Sequence, residues 1–115
     1  MLSSQLAAWL AEVLTSVPPD HSIVAFNIGL FQAESGYCAY LSGASEFDAN
    51  SNEWAVSPPY FPRAHYFSLP FGQSEDWQAV LAQIQNALVI SLATPQLAGS
   101  AIARAHAVTT GFDDG

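Results

Sequence analysis

The stretch HSIVAFNIGLFQAESGYCAYLSGA, residues 21–44, decides the fold that the sequence predicts. Residues 23–31 are rich in β-branched and aromatic side chains, which favour a strand. The turn residues AESG follow, and YCAYLSG then alternates as a second strand. The stretch therefore predicts a β-hairpin. The residues predicted to share one face of its first strand are Val24, Phe26, Ile28 and Leu30.

Two amphipathic helices are predicted, one on each side of this hairpin along the chain. In residues 4–16 the apolar side chains recur at three- and four-residue intervals, as on one face of a helix. Residues 77–92 show the same spacing, with Ser74 as the predicted N-cap and Glu75 and Asp76 in the first turn. The predicted core-facing residues of the second helix are Trp77, Val80, Leu81, Ile84, Ala87, Leu88 and Leu92.

Two further strands complete the predicted order of elements. AHYFSL, residues 64–69, is apolar enough for a short third strand, and HAVTTGF, residues 106–112, predicts a last one. The order predicts a single α+β domain, residues 1–115, with a small antiparallel sheet of three to four strands packed against two helices. So few strands leave free edges and an exposed apolar patch, which favours a homodimer or another partner.

The charge balance narrows the function classes. The chain carries ten acids against two bases, Arg63 and Arg104, and its net charge is -8. Nucleic acids and anionic membranes are bound by clustered Lys and Arg, so neither is a predicted partner. An acidic surface steers toward basic proteins. The alternative interpretation is that the acids only keep a small hydrophobic protein soluble.

The compartment is predicted from the cysteine content and the N-terminal segment. Cys38 is the one cysteine, which excludes an internal disulfide and fits a reducing compartment, most simply the cytoplasm. Residues 1–14 lack a positive start and carry Glu12, so no secretory signal is predicted. Residues 77–103 carry no charge, but their helical spacing and inserted polar residues indicate a helix buried on one side rather than a membrane span.

The densest polar stretch, SEFDANSNEWA, follows the hairpin and resembles the start of a calcium loop. Asp48, Asn50 and Asn52 place oxygen donors at alternate positions, as in an EF-hand. The sixth position of such a loop needs a Gly and is Glu53, and the twelfth needs a Glu and is Pro59. An Asx-rich turn is therefore favoured over a metal site, and neither a metal nor another cofactor is predicted.

No catalytic constellation is predicted either. His21, His65 and His106 lie in separate segments without a metal-binding motif. Cys38 lies within a predicted strand, where a small buried thiol is the usual case. The sequence therefore favours a non-enzymatic binding protein. The alternative is a small metal-dependent protein or enzyme that uses the acidic residues 46–53.

The three tryptophans have different predicted roles. Trp9 and Trp77 lie on apolar helix faces and are predicted to be core residues. Trp54 closes the acidic stretch, where it either anchors the loop onto the core or forms an interface anchor rimmed by acids. The predicted binding residues are Glu46, Asp48, Asn50, Asn52, Glu53 and Trp54.

Three motifs, FNIGLF, YLSGASEFDANSNEWA and GFDDG, resemble a group of small uncharacterised bacterial proteins. Some members are similar to immunity proteins of contact-dependent or polymorphic toxin systems. The resemblance implies an inhibitor whose acids steer toward a basic toxin and whose aromatic anchor blocks it. The positions that carry it are Phe26, Asn27, Glu53, Trp54, Ala55, Gly111, Phe112, Asp113 and Gly115.

Overall fold

The computed structural model describes residues 2–34, 36–45, 60–62, 65–72 and 75–112. These residues form, in chain order, α1 (Leu2–Ser16), β1 (Ala25–Ala33), β2 (Gly36–Ala44), β3 (Phe67–Ser68), α2 (Trp77–Leu92) and β4 (Ala107–Phe112). Both helices contribute to one core cluster with one face of the sheet. The predicted α+β class, with two helices against a small sheet, is confirmed.

The predicted hairpin is present as β1 and β2. The two strands pair antiparallel, from Ala25 opposite Ala44 to Ala33 opposite Gly36. Strand β1 starts and ends two residues later than predicted, so Val24 precedes it. The residues predicted on its core face are confirmed there: Phe26, Ile28 and Leu30 are each 0% exposed beneath the helices.

Helix α1 begins at Leu2, two residues before the predicted start, and ends at Ser16 as predicted. Pro18 and Pro19 follow and prevent its continuation. The predicted core position of Trp9 is confirmed, because its indole is buried and stacks on Phe67 with ring centroids 5.4 Å apart. Its Nε1 donates a hydrogen bond to the backbone oxygen of His65 over 3.1 Å, so the buried indole nitrogen is satisfied.

The strand order across the sheet is β3-β2-β1-β4, and one pairing differs from the predicted antiparallel arrangement. Strand β2 pairs antiparallel with β1 and with β3, whereas β4 pairs parallel with β1. The connection from β3 to β4 contains α2, which carries the chain back along the sheet before the last strand begins. A helical crossover of this kind delivers parallel pairing, which a hairpin turn cannot.

Helix α2 differs from the prediction at its first turn. Asp76, rather than Ser74, is the N-cap, and its Oδ2 accepts a hydrogen bond from the Ala79 backbone N–H over 3.3 Å. Ser74 lies outside the described residues. The prediction that Trp77 is a core residue is wrong, because 49% of its side chain is exposed at the helix start. The stripe residues that are buried are Val80, Ile84, Ala87 and Leu88.

A buried hydrogen bond between two small residues joins the helices. Ser91 is 0% exposed, and its Oγ lies 2.8 Å from the backbone oxygen of Ser3 in α1 and 2.7 Å from that of Ala87. The hydroxyl thus hydrogen-bonds inside the helix layer without a charged group. Among the described helices, none has the length and hydropathy that a membrane crossing requires.

Candidate functional site

Helices α1 and α2 pack on one face of the sheet, and within the described residues no helix lies on its second face, here called the outer face. Because side chains alternate along a strand, residues directly opposite each other in the hairpin share a face. The outer-face pairs of β1 and β2 are Asn27–Ser42, Gly29–Tyr40 and Phe31–Cys38. On β4, Thr109 and Gly111 lie beside Asn27 and Gly29 and continue this face. The outer face therefore mixes small and polar residues with aromatic rings.

Four aromatic side chains, here called the outer aromatic cluster, contact one another on this face: Phe31, Tyr40, Phe61 and Tyr66. The ring centroids of Phe31 lie 6.2 Å from Tyr40 and 5.6 Å from Tyr66, and Phe61 lies 5.3 Å from Tyr40. The Tyr66 side chain is 52% exposed, and the other three are half-buried. A cluster that is only partly covered offers ring faces and edges to a second molecule.

A glycine makes room for the centre of this cluster. A Cβ atom at Gly29 would lie 2.0 Å from Cζ of Tyr40, so the Tyr40 ring lies flat against the bare backbone of the neighbouring strand. The cluster is absent from the residues predicted above. Its signal in the sequence is a hairpin register that sets a glycine opposite a tyrosine, which predicts this packing.

Beside the cluster lies a polar pair. The Thr109 hydroxyl donates a hydrogen bond to Oδ1 of Asn27 over 2.9 Å and so links β4 to β1 across the outer face. Ser42, opposite Asn27, is 3% exposed. Asn27 is one of the positions that carry the sequence resemblance, and the structure gives it a contact between strands.

Two residues on either side of the acidic stretch, Gly43 and Tyr60, lie next to each other. Gly43 and Tyr60 form a β-bridge, with hydrogen bonds of 2.8 and 3.2 Å between their backbones. Gly43 and Tyr60, which flank residues 46–59 in the sequence, are therefore neighbours at the end of β2. Phe61, a member of the outer aromatic cluster, is the next residue after this bridge.

Tyr60 connects the Gly43–Tyr60 bridge to the core. Its side chain is 7% exposed and meets Phe26 edge-on at a centroid distance of 6.1 Å. Its hydroxyl donates a hydrogen bond to the backbone oxygen of Val17 over 2.6 Å. Burial raises the pKa of Tyr60 to about 12, because the phenolate would lose its hydration there. Consecutive residues thus point to opposite faces, Tyr60 to the core and Phe61 to the outer aromatic cluster.

The predicted binding residues Glu46, Asp48, Asn50, Asn52, Glu53 and Trp54 all lie outside the described residues. The fold places only the two ends of their segment, at the Gly43–Tyr60 bridge. Of the remaining positions in the resemblance, Ala55, Asp113 and Gly115 also lie outside.

Phe112, a further position in the resemblance, packs at the end of β4. Its ring meets Tyr37 at 5.7 Å and the half-exposed Trp77 at 5.8 Å, both edge-on. The Tyr37 hydroxyl donates a hydrogen bond to the backbone oxygen of Glu75 over 2.7 Å. Trp77 therefore covers the end of the sheet instead of filling the core, and Phe112 contributes to packing.

The histidines and the cysteine form no metal group in the described part of the chain. Within it, no three His, Cys, Asp or Glu side chains are close enough to hold a metal ion. His21 is fully exposed with Nδ1 2.9 Å from Oδ1 of Asp20. His65 acts through its backbone oxygen, which accepts from Trp9. Cys38 was predicted to be buried and is wrong in that respect, because the outer face leaves it partly exposed.

Comparison with known proteins identifies no relative. The chain matches no known protein family, no curated protein sequence and no solved structure.

Proposed function

We propose that the chain is a non-enzymatic protein-binding domain whose partner is basic. The observation that carries the proposal is the outer aromatic cluster, a partly exposed group of four rings on the sheet face that neither α1 nor α2 covers. Phe61 in this cluster directly follows Tyr60, which forms a bridge with Gly43, and the acidic stretch lies between those two residues in the sequence. The sequence therefore connects the acidic stretch to the cluster through residues 56–60.

The negative net charge of the domain favours a partner with a positive surface. With ten acids and two bases in the sequence, almost any approach to the domain meets a negative field. Such a field accelerates encounters with a positive surface and slows encounters with a negative one. The acids between Glu46 and Glu53 supply three of these charges without a base among them.

The aromatic rings of the outer face favour one type of basic side chain in the partner. A guanidinium group is planar and weakly hydrated, so it stacks on an aromatic face more readily than an ammonium group does. A cation over an exposed ring contributes about 0.5–1 kcal/mol, and several such contacts add specificity to the electrostatic attraction. An arginine-rich surface therefore fits the outer face better than a lysine-rich one. Trp54, at the end of the acidic stretch, is the proposed additional anchor.

The sequence resemblance gives a more specific form of this proposal. An immunity-like protein would use the same surface to cover a basic toxin and block its active site. Acids steer the two molecules together, and aromatic anchors then slow their dissociation. Such a role requires no reaction by the chain itself.

The general proposal is tested with two peptides of equal charge, deca-arginine and deca-lysine. We expect tighter binding of deca-arginine, and we expect Tyr66→Ala to weaken this preference. Trp77→Ala is the matched control, because it removes a similarly exposed ring elsewhere, 49% exposed against 52%. Equal binding of both peptides, or equal losses in the two variants, would show that the outer aromatic cluster is not the binding surface.

The contribution of the acidic stretch is tested by charge reversal. The triple variant E46K/D48K/E53K should slow association with deca-arginine by roughly tenfold at low salt, and the difference should shrink as salt is added. The control E12K/E34K/E75K changes the net charge equally at exposed sites outside the stretch. Equal slowing would reduce the effect to net charge alone. A melting shift with calcium, magnesium or zinc that the first variant abolishes would instead favour the metal-dependent alternative.

The immunity-like form has its own test. The chain is co-expressed with a basic protein encoded by a neighbouring gene, and growth and complex formation are measured. Protection that is lost in E46K/D48K/E53K and kept in E12K/E34K/E75K is the expected result. A toxic neighbour that the chain neither binds nor neutralises would contradict this form while leaving peptide binding intact.

A further inference from the structure

Two glycines lie side by side on the outer face, and the described packing explains only one of them. Gly29 on β1 and Gly111 on β4 are direct partners in the parallel pairing. The Tyr40 ring occupies the space that a side chain at Gly29 would need. A Cβ atom added at Gly111 would meet no atom of the described residues within 4 Å. The described residues therefore leave the space above Gly111 open.

The backbone conformation at Gly111 does not require a glycine either. Among the described glycines, only Gly36 and Gly99 have a positive φ, so Gly111 has a conformation that other residues also adopt. A glycine inside a strand weakens it relative to other residues, and it often marks a position that a ligand approaches closely. A group that binds against the bare backbone would account for Gly111, whereas its conformation and its described neighbours do not.

Two hydroxyl oxygens lie at the border of this open space. Cζ and Oη of Tyr40 are the atoms that a Cβ at Gly29 would overlap, so the phenol end of the ring lies over the strand next to β4. Thr109 precedes Gly111 by two residues and lies on the same face, roughly 6.6 Å away along the strand. Its hydroxyl donates to Oδ1 of Asn27, and its oxygen can accept a further hydrogen bond.

We propose that an arginine side chain of the basic partner binds with its guanidinium group over Gly111. This inference rests on the proposed function and specifies where one arginine of that partner binds. A planar guanidinium can lie flat on the bare backbone of Gly111 and continue the layer that the Tyr40 ring forms over Gly29. Its N–H groups would donate to Oη of Tyr40 and Oγ1 of Thr109, which a hydrocarbon side chain cannot do.

The charge of the domain favours a cation in this place over a neutral planar group. The net charge of the chain is -8, and the sequences of β1, β2 and β4 contain neither lysine nor arginine. The negative field therefore attracts a cation, and no basic side chain of these strands repels it. An ammonium group has the same charge, but it is compact and strongly hydrated, so it gains less from a flat surface than a guanidinium group does.

A side chain that fills the open space tests the proposal. Gly111→Val should weaken the binding of deca-arginine by about tenfold and leave the binding of deca-lysine unchanged, because valine occupies the place of the guanidinium group. The thermal stability of this variant should be equal or higher, since valine favours a strand. Gly72→Val is the matched control, because Gly72 also has no positive φ and no described atom within 4 Å of an added Cβ, and it lies outside the helices and strands. This control should bind deca-arginine as tightly as the wild-type protein.

The failure of this site and the failure of the proposed function give different results. If Tyr66→Ala weakens the binding of deca-arginine and Gly111→Val does not, the site over Gly111 is overturned and the outer aromatic cluster remains the proposed binding surface. A wild-type protein that does not bind deca-arginine would overturn both. Equal losses for deca-arginine and deca-lysine in Gly111→Val would overturn the choice of a guanidinium group, and equal losses in Gly111→Val and Gly72→Val would overturn the site.

Discussion

The two faces of the β1–β2 hairpin obey different rules. On the core face, Phe26, Ile28 and Leu30 are 0% exposed and lie beneath two helices. On the outer face, Phe31 and Tyr40 are half-buried, with a glycine and a polar pair beside them. Burial alone explains the first set, since each such side chain contributes about 1.5–3 kcal/mol when it is removed from water. Burial explains only part of the second.

This difference separates residues whose side chains are removed from water from residues that keep part of their surface exposed. A half-exposed ring stabilises the fold less than a buried ring does. It also leaves apolar surface exposed to solvent, where a second molecule can contact it. Substitutions in the outer aromatic cluster should therefore weaken binding more than they lower the stability of the fold.

The largest expected effect compares two phenylalanines on opposite faces of β1. Phe26→Ala should destabilise the domain by about 3–5 kcal/mol, because it opens a cavity in a fully buried site. Phe31→Ala should cost less than half as much, since its ring is half-buried and solvent fills the space. Urea unfolding monitored by tryptophan fluorescence measures both. Equal losses would show that the outer face is as much a part of the core as the inner one.

The next effect is the pH dependence of stability that Tyr60 contributes. Burial raises the pKa of Tyr60 to about 12, so the folded state favours the neutral phenol, whereas the unfolded chain ionises near the ordinary value of 10.0. The stabilisation is complete below pH 10 and is lost as the pH rises toward 12, by about 2–3 kcal/mol in all.

Tyr60→Phe isolates this contribution. It should remove the alkaline loss and, at neutral pH, cost about 1 kcal/mol for the missing hydrogen bond to Val17. The free energy of unfolding is measured from pH 8 to 12 in the wild-type protein and in the variant. This range brackets the ordinary pKa of tyrosine. An unchanged alkaline slope in the variant would place the responsible group elsewhere.

A smaller effect comes from two glycines that lie side by side on the outer face. Gly29→Ala should cost about 1–2 kcal/mol, because the new methyl displaces the Tyr40 ring. Gly111→Ala is the matched control: no atom lies within 4 Å of its added Cβ, so the change should be near zero or slightly stabilising. With Tyr40→Ala in the background, the cost of Gly29→Ala should fall. Additive losses would show that the ring is not what the methyl meets.

The core face could be predicted from the sequence because its signals are local. Alternation placed Phe26, Ile28 and Leu30 correctly, and helical spacing placed Trp9. Trp77 satisfied the same spacing and is nevertheless half exposed, since it lies at the first position of α2, where the helix has only begun to cover the sheet. Spacing describes a helix face and does not say how far a neighbouring layer extends.

The outer aromatic cluster could not be found in the same way because its members come from four separate places in the chain. Phe31 and Tyr40 meet only once the hairpin register is known, and Tyr66 reaches them only after β3 has paired with β2. The parallel pairing of β4 likewise depends on the path of the crossover, which local sequence does not encode. The predicted acidic binding residues lie outside the described residues and stay a prediction.

The smallest expected effect compares one hydroxyl on each side of the sheet. Ser91→Ala should cost about 1 kcal/mol, because it removes the hydroxyl that hydrogen-bonds the helix backbone in a fully buried helix contact. Thr109→Val on the outer face should cost less than about 1 kcal/mol, since water can replace the lost bond to the half-buried Asn27. Thermal and urea unfolding of the two variants give the difference directly. If Thr109→Val proves the more damaging, the polar pair of the outer face is closed to water, and the outer face would have to be regarded as a second core.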